Sequence, residues 1–407
     1  MTALKLSELG TDHENARRSN ASRYIPQRGT LGTRRRVALF IPKLRAGGAE
    51  KVTLNLAAAL AAQGLTVDVV VGSTGGLLQS QIPERVRLVD LLARPPEILS
   101  KTKRLAKYLK AEQPSILFSS LDIVGSAIAA RLISQACTKI VMCVHTNLSA
   151  QFRDDHTALR WVRPTLLKFA YRRADHVAAV SKGILDDLLP LLKLSEGRAS
   201  VLYNPVVSSE MIERAAEPVS HPWFTGGAHK VIVAAGRLVR QKDFPTLLKA
   251  FQLVRQQQEC KLVIFGDGDP RQPDVKSSLQ SLAQSLGIAG HCTFEGFVQN
   301  PYAYFRRSDL FVLSSSYEGL PTVLIEALAC GLPVVSTDCP SGPREILCDG
   351  EFGTLVPVGD CVSLAHAILQ ELRQPRARAP LIQRASEFSY QSAVDRYMRL
   401  IQRLVPG

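Results

Sequence analysis

The sequence lacks any long apolar segment. A membrane-spanning helix needs an apolar run of about eighteen residues. No uninterrupted apolar run in the 407 residues approaches that length. Residues 1–35 also lack the apolar core of a secretory signal, so we do not expect one there. Because they carry more basic than acidic side chains, we interpret them as a disordered basic tail, or else as a dispensable extension.

Paired cysteines are missing as well. The eight cysteines are scattered, with no Cys-x-x-Cys pair and no cluster of histidine with cysteine. Several, including Cys143 and Cys330, lie within apolar runs, as small core residues do. We therefore expect a reducing compartment and no structural zinc.

Acidic residues are too few to balance the basic ones. The chain has 50 lysines and arginines against 36 aspartates and glutamates, which leaves a formal net charge of +14. This excess predicts an anionic partner, which can be nucleic acid, a phosphate-rich substrate or an anionic membrane surface. Known nucleic-acid-binding motifs are absent from the sequence, so we expect no nucleic-acid partner.

Two basic segments of the first half have the character of helices that lie on a membrane. Residues 97–110 place lysines around one predicted apolar side, and residues 160–173 combine Trp161 with several arginines. Such segments bind anionic lipid. A solvated basic face is the alternative for each segment alone, but two of them favour membrane contact. The apolar side of the first segment is expected to contain Ile98, Leu99, Leu105 and Leu109.

The rest of the chain alternates between strand-like and helix-like segments. A strand, a glycine loop, a helix and a strand begin at Arg36, and the same alternation restarts at Lys230 after a linker around residues 204–227. This pattern predicts an α/β protein with two Rossmann-like, doubly wound domains that face each other across a cleft. We expect an N-terminal domain, a C-terminal domain and a C-terminal helix that packs back across their junction, at residues 36–210, 211–384 and 385–407, respectively.

A short helix in the second half has both ends marked in the sequence. Residues 309–313 form a short apolar run of strand type, and Glu318 follows in a tight loop. Pro321 suits the first helical position, where a missing N–H costs nothing. Gly331 can adopt the left-handed conformation that ends a helix. The sequence therefore predicts a strand, a loop and a short helix here.

This helix carries two candidate binding carboxylates. Glu318 precedes it and Glu326 lies about two turns inside, so the pair can hold two parts of one elongated ligand. The amides of Gly319, Leu320 and Thr322 lie between them at a helix N-terminus, which favours an anion. A nucleotide-sugar fits this order of groups. The alternative is a surface helix with two solvated glutamates.

Two basic residues follow the first strand of the second domain. Arg237 provides a planar fork of donors and Lys242, five residues later, a mobile point charge, which together suit a diphosphate. They can offset the negative charge of a leaving nucleoside diphosphate. We recognise no Asp-x-Asp motif in hydrophobic surroundings, so we expect no metal ion and no other cofactor.

Together these motifs resemble the retaining glycosyltransferases of family 4, which have the GT-B fold. The resemblance covers nearly everything from residue 37 to residue 404, and residues 339–347 are similar to a subgroup that acts on lipopolysaccharide core and other bacterial cell-surface glycans. The chain has Leu320-Pro321 where many relatives have Phe-Gly. The residues that carry the resemblance are Gly47-Gly48-Ala49-Glu50, Gly236-Arg237 with Lys242, and Glu318-Gly319 with Glu326-Ala327.

The resemblance implies that the N-terminal domain binds the acceptor and the C-terminal domain binds the nucleotide-sugar. It also implies roles for the residues that hold the donor diphosphate. Gly47 and Gly48 of the first domain would lie beside the diphosphate and sugar. Arg237 and Lys242 would bind the diphosphate, and the amides after Glu318 would contact the sugar or phosphate.

It also implies roles around the sugar and nucleoside. Glu318 would hold hydroxyls of the transferred sugar, and His145 matches a family histidine near the C6 side of that sugar, which makes both candidate catalytic residues. Glu326 would accept hydrogen bonds from the ribose. The backbone near Phe297 and Val298 would hold the base.

The expected function is metal-independent transfer of a hexose or N-acetylhexosamine, with retention of anomeric configuration, from a nucleotide-sugar to a lipid-linked, lipopolysaccharide or exopolysaccharide glycan. UDP-sugars are expected first, with GDP- and ADP-sugars left open. The expected location is peripheral, at the cytoplasmic face of a bacterial inner membrane. Two alternatives remain: a sugar-nucleotide epimerase of the same fold and an inactive membrane-associated scaffold.

Overall fold

The structure is a computed structural model. It describes residues 35–43, 48–73, 82–122, 125–153, 163–225 and 229–406. Residues 1–34 of the predicted basic tail, Gly47, and the Arg160-Trp161-Val162 part of the second basic segment lie outside the described residues.

The first domain is built on a seven-stranded sheet in which every described strand pair is parallel. The strand order is β3-β2-β1-β4-β5-β6-β7, so the direction of winding reverses between β1 and β4. The strands read as nearly continuous apolar runs because helices cover both faces of the sheet. The strands are β1 (Arg36–Ile41), β2 (Thr66–Val71), β3 (Val86–Asp90), β4 (Ile116–Ser120), β5 (Lys139–Val144), β6 (His176–Ala179) and β7 (Ala199–Val201). The helices are α1 (Gly48–Ala62), α2 (Glu97–Glu112), α3 (Ser126–Ser134), α4 (Leu148–Arg153), α5 (Arg163–Arg173) and α6 (Lys182–Leu192).

The second domain repeats this architecture with a six-stranded parallel sheet of order β10-β9-β8-β11-β12-β13. Its winding reverses between β8 and β11. The prediction of two doubly wound α/β domains is therefore confirmed. The strands are β8 (Lys230–Ala235), β9 (Cys260–Phe265), β10 (Cys292–Gly296), β11 (Leu310–Leu313), β12 (Val334–Thr337) and β13 (Thr354–Val356). The helices are α7 (Ser209–Ala215), α8 (Pro222–Thr225), α9 (Phe244–Arg255), α10 (Asp274–Ser285), α11 (Tyr302–Phe305), α12 (Thr322–Ala329), α13 (Pro343–Ile346), α14 (Cys361–Arg373), α15 (Arg378–Ser386) and α16 (Tyr390–Leu404).

The chain passes between the domains twice, and the two passages lie side by side. The amides of Val206 and Val207 donate to the carbonyl of Phe388, and the amide of Tyr390 donates to the carbonyl of Val207. Helix α16 then packs on the first domain, where Tyr397 joins the core formed with strands β1 and β2. The predicted linker is thus partly helical, because α7 and α8 form within it.

Helix α2 differs from its sequence prediction at its first turn. Leu105 and Leu109 are buried as expected, but Ile98 and Leu99 are 54% and 61% exposed. Lys101, predicted on the solvent side, is buried. The residues of α2 that join the core are in its later turns, at Leu105, Ala106, Tyr108 and Leu109, so its first turn is left uncovered. Within the described residues, no helix has the length and apolar character to cross a bilayer.

Candidate active site in the cleft

The candidate site residues lie where strands of the second sheet end. In a doubly wound sheet, ligands bind beyond the carboxyl ends of the strands, at the reversal of winding. Strands β8 and β11 meet at that reversal. Arg237 follows β8, Glu318 follows β11, and Val298 follows β10 along the same edge. The fold therefore brings together residues that are far apart in the sequence.

Glu318 is buried and held by two donors. Lys242 Nζ lies 2.5 Å from Oε1 of Glu318, and the hydroxyl of Ser315 donates to the same oxygen at 2.6 Å. The backbone around it is anchored as well, since the amide of Glu318 donates to the carbonyl of Pro340. Lys242, predicted to bind a diphosphate, here neutralises Glu318. Within the described residues, no donor reaches Oε2 of Glu318, which leaves that oxygen for ligand hydroxyls.

The loop after Glu318 presents unused backbone donors. Helix α12 begins at Thr322, so Pro321 is its N-cap rather than the predicted first helical residue. Within the described residues, the amides of Gly319, Leu320 and Thr322 donate to no protein acceptor. Gly331 has a φ of 70° directly after the C-cap of the helix, in the predicted left-handed conformation. Free amides at a helix N-terminus form an anion site.

Arg237 is held by an aspartate that our sequence interpretation passed over. Asp269 is buried and accepts from Arg237 Nη1 at 3.0 Å and from Arg271 Nε at 2.9 Å. Hydrogen bonds from Arg271 hold the pKa of Asp269 well below its usual range, although burial opposes this shift. Asp267-Gly268-Asp269 does have Asp-x-Asp spacing, so the expectation that no such motif follows an apolar strand was wrong. Two guanidinium groups on one carboxylate leave a net positive site.

Glu326 contacts the opposite domain. It lies inside α12 and is buried, so the alternative of a solvated glutamate on a surface helix does not hold for this residue. Lys51 Nζ, from the first turn of α1, lies 3.4 Å from Oε1 of Glu326. The hydroxyl of Tyr302 lies 3.3 Å from the same oxygen and 2.6 Å from Lys51 Nζ. The closed cleft therefore places an N-terminal-domain cation on the predicted ribose-binding carboxylate.

His145 follows β5 and faces the site through its backbone. Its Nε2 lies 3.1 Å from the hydroxyl of Ser120. Burial lowers the pKa of His145 to about 4, so the imidazole is neutral at neutral pH. The carbonyl oxygen of His145 lies so near Gly319 that a Cβ at Gly319 would be 2.0 Å from it. Gly319 therefore permits the domains to meet.

Further hydrogen bonds join the domains beside this contact. Ser181 Oγ donates to the carbonyl of Gly319 at 2.8 Å. Asn147 Nδ2 donates to Ser341 Oγ at 3.1 Å, and the amide of Lys182 donates to the carboxylate of Glu345. These contacts define a closed arrangement of the two domains. Glycine at position 183 allows this close approach of the domains, because a Cβ there would be 2.9 Å from Ser341 Cα.

The structure brings most of the predicted residues to one cleft. Gly48 starts α1 and lies opposite Thr322, whose Oγ1 would be 3.9 Å from a Cβ at Gly48. Val298 is partly buried in the loop after β10, and Gly47 lies outside the described residues. Sequence reasoning missed several residues, whose only signals were a charge beside a recognised motif or a polar residue in an apolar run. They are Lys51, Asp269, Arg271, Tyr302 and Ser315.

Sequence models of known families match both halves of the chain. The model described as Glycosyltransferase Family 4 matches residues 46–210, and the model described as Glycosyl transferases group 1 matches residues 222–388. The first match corresponds to the N-terminal domain of the structure and the second to the C-terminal domain. The family resemblance predicted from the motifs is therefore confirmed.

Curated relatives have transferase names. An N-acetylgalactosamine-N,N'-diacetylbacillosaminyl-diphospho-undecaprenol 4-alpha-N-acetylgalactosaminyltransferase of Campylobacter jejuni is 28% identical over 355 residues, which cover 84% of this chain and 92% of that protein. The lipopolysaccharide core biosynthesis glycosyltransferase LpsE of Rhizobium meliloti is 35% identical over 176 residues, which cover 42% of this chain and 49% of that protein.

Solved structures have the same fold. The crystal structure of Anabaena HepE in complex with UDP-glucose matches with a TM-score of 0.75 at 18% identity, covering 90% of this chain and 99% of that one. This likeness extends over both domains and the cleft between them. The chain is a glycosyltransferase and belongs to family 4, the group 1 glycosyl transferases, with the GT-B fold.

Proposed function

We propose that the protein transfers a hexose or N-acetylhexosamine, with retention of anomeric configuration, from a nucleotide-sugar to a glycan acceptor. The observation that carries this proposal is the order of groups along one cleft. The buried carboxylate Glu318, the free amides at the start of α12 and the buried carboxylate Glu326 follow each other along one loop and helix, and the Arg237 guanidinium lies after β8, the strand next to β11. This order matches sugar hydroxyls, a diphosphate and ribose hydroxyls.

The charges support loss of a nucleoside diphosphate. Arg237 and the free amides can bind the diphosphate and stabilise the charge that develops on it as the glycosidic bond breaks. Glu318 is neutralised by Lys242 on one oxygen, so it acts as an acceptor for sugar hydroxyls with the other. In this mechanism the acceptor hydroxyl attacks on the face that the leaving phosphate vacates, and the phosphate takes its proton.

The donor is proposed to be a UDP-sugar and the reaction to need no metal ion. HepE, which has the same fold, binds UDP-glucose. Arg237 and Arg271 both pair with the carboxylate of Asp269. This supports a site in which arginine, rather than a metal ion, neutralises the charge of the diphosphate. The acceptor is proposed to be a lipid-linked, lipopolysaccharide or exopolysaccharide glycan, because the relatives' names include diphospho-undecaprenol and lipopolysaccharide core biosynthesis.

The first test is binding and turnover of UDP-, GDP- and ADP-sugars by wild type and Glu326→Ala. We expect saturable binding of one donor, unchanged by EDTA, and a loss of about tenfold or more in affinity in the variant, since hydrogen bonds to a charged group are lost. Glu351→Ala is the matched control, because Glu351 is exposed in the same domain. The anomeric configuration of the product, read by NMR, tests retention.

Other outcomes identify the alternatives. A wild type that binds no donor in the panel favours the membrane-associated scaffold. Conversion of a donor to its epimer without an acceptor favours the epimerase. An EDTA-sensitive rate, restored by a divalent cation, contradicts metal independence.

We also propose that the first domain binds an anionic membrane surface. Helix α3 contacts both α2 and α5, and all three helices contribute to one core cluster of the first domain. Ile98 and Leu99 of α2, Leu132 and Ile133 of α3 and Phe169 of α5 are all more than half exposed. The same helices carry exposed basic side chains: Lys103, Arg104, Lys107, Lys110, Arg172 and Arg173. Apolar insertion flanked by basic charge suits anionic lipid, and a cytoplasmic leaflet carries such lipid.

Vesicle sedimentation tests the surface. We expect wild type to bind phosphatidylglycerol-containing vesicles, less so at high salt, and not phosphatidylcholine vesicles. The double variant Ile98→Glu/Leu99→Glu is expected to lose about tenfold in partitioning, because it removes apolar contact and adds negative charge. Ile212→Glu is the control, since Ile212 is 53% exposed on α7. Equal loss in the control contradicts the assignment.

A further inference from the structure

Lysine at position 51 is unfavourable for the helix that contains it. Lys51 lies in the first turn of α1, where the positive end of the helix dipole repels a cation. Its partners lie in the other domain: Glu326 at 3.4 Å and the hydroxyl of Tyr302 at 2.6 Å. The residue is therefore placed by contacts across the cleft rather than by its own helix.

The three groups form one hydrogen-bonded chain. Burial lowers the pKa of Lys51, but the negative charge of Glu326 and the contact with Tyr302 outweigh it and raise the pKa above its usual range. Burial, followed by the charge of Glu326, raises the pKa of Tyr302 to about 12. At neutral pH, the charged ammonium thus donates to the tyrosine hydroxyl, which donates in turn to Oε1 of Glu326.

This chain uses only one oxygen of the carboxylate. Lys51 and Tyr302 both reach Oε1 of Glu326, and within the described residues no donor reaches Oε2. A carboxylate has about four acceptor positions, so Oε2 can accept from a diol while Oε1 stays engaged. The preceding residue, Glu50, interacts with a different residue of the second domain: its charge helps to raise the pKa of Arg271, after the larger effect of the Asp269 hydrogen bond.

We infer that Lys51 and Tyr302 are positioning residues of the donor site, which hold Glu326 from the two sides of the cleft so that it accepts the ribose hydroxyls in the closed arrangement. Ribose recognition then depends on domain closure, because one of the two residues that orient the carboxylate belongs to the first domain. This inference rests on the proposed nucleotide-sugar site and extends it to a residue of the opposite domain.

The test compares nucleotides with and without ribose hydroxyls. Titration calorimetry measures binding of UDP, GDP and ADP and of their 2′,3′-dideoxy counterparts to wild type, Lys51→Met and Tyr302→Phe. We expect each variant to lose about tenfold in affinity for the nucleotide that wild type binds. Affinity for its dideoxy counterpart should change by less than about twofold, because that probe makes no contact with Glu326.

Matched controls separate positioning from general structure. Lys43→Met removes a lysine that pairs with Glu97 inside the first domain. Tyr304→Phe removes a hydroxyl that has no hydrogen-bond partner among the described residues, in a ring packed on Phe224 and Phe265. Both controls are expected to bind both probes as wild type does. Tyr302→Phe keeps the shape of the buried ring. It therefore still tests the inference if Lys51→Met does not fold.

Two results overturn the inference. One is an equal loss for both probes in Lys51→Met and Tyr302→Phe, which indicates a general structural role. The other is no loss for either probe. The double variant Lys51→Met/Glu326→Ala must also lose no more than Glu326→Ala alone, since residues acting through one contact are not additive.

Failure of the proposed function gives a different pattern. If wild type binds no nucleotide, or Glu326→Ala binds UDP and dideoxy-UDP as wild type does, the donor site itself is wrong. If Glu326→Ala loses its preference for the ribose hydroxyls while Lys51→Met keeps it, the donor site stands and only the positioning role fails.

Discussion

At residue 319 the closed cleft has room for a hydrogen atom and nothing larger. A Cβ there would lie 2.0 Å from the carbonyl oxygen of His145 and 3.2 Å from Ile184 Cδ1. The neighbour that it meets first is backbone, which cannot rotate away. The glycine is therefore needed for approach of the two domains as well as for its amide.

We predict that Gly319→Ala opens the cleft and lowers the transferase rate. A displacement of about 1 Å between groups that act on one substrate can cost about a hundredfold in rate, and we expect a loss of that order. Small-angle scattering should show a larger radius of gyration than for wild type. Gly290→Ala is the control, because nothing lies within 4 Å of a Cβ at that position. An unchanged rate and radius for Gly319→Ala would show that the closed contact is dispensable.

Some site residues could be predicted from sequence because they belong to local patterns. Glu318 and Glu326 flank a helix whose ends are marked, and Arg237 follows a recognisable strand. Lys51 and Asp269 could not be assigned a partner, because their contacts lie 275 and 32 residues away along the chain. The pairing of Lys242 with Glu318 could not be predicted either, because the two residues lie 76 positions apart, and binding of the diphosphate by Lys242 stays a prediction.

Among the elements, helix α16 shows how a strong local pattern acquires a distant role. The C-terminal helix predicted within residues 385–407 extends from Tyr390 to Leu404 in the structure. Tyr397 of this helix is buried and packs on Phe118 of β4, with ring centroids 5.3 Å apart. The last helix of the chain thereby completes the core of the first domain.

We predict that Tyr397→Ala destabilises the protein by about 3–5 kcal/mol, the usual cost of truncating a large buried aromatic side chain. Urea unfolding followed by circular dichroism measures the change. Arg399→Ala, at an exposed position of the same helix, should stay within about 0.5 kcal/mol of wild type. A Tyr397→Ala effect no larger than that of Arg399→Ala would mean that α16 contributes little to the first domain.

Strand β3 is the element that the sequence did not indicate. Val86–Asp90 is short and interrupted by charge, so its apolar pattern is weak. It pairs with β2 along its whole length, and Arg87 adds an ion pair with the buried Asp68 of β2 at 2.6 Å. Contacts with a neighbouring strand cannot be recognised from the periodicity of the strand itself.

Across the whole molecule, a buried histidine joins the last helix to the first sheet. His176 of β6 lies 2.7 Å from the hydroxyl of Ser200, and Arg403 of α16 lies 3.1 Å from its Nδ1. Burial, followed by the charges of Arg403 and Arg198, lowers the pKa of His176 to about 4. The folded protein therefore holds this imidazole neutral between two cations.

We predict that this histidine contributes to acid destabilisation. In the unfolded chain a histidine has a pKa of about 6.5, so between that pH and about pH 4 the unfolded state binds a proton that the folded state does not. The stability contributed by neutral His176 is present above pH 6.5 and is lost as the pH falls. Urea midpoints at pH 7 and pH 5 should differ less for His176→Gln than for wild type. If the midpoint difference between pH 7 and pH 5 is the same for the variant and for wild type, His176 does not contribute to acid destabilisation.

The sequence by itself determined the α/β class, the two doubly wound domains, the family and the helix that carries Glu326. These follow from local properties: apolar runs of strand length, glycine and proline at helix ends, and motifs of a few residues. Only the tertiary structure decided which charges meet. Lys51 lies on Glu326, Lys242 on Glu318, and Arg237 and Arg271 share Asp269. Such pairings depend on how the two sheets face each other, because closure of the cleft and adjacency of strands at one edge set distances that no local sequence pattern contains.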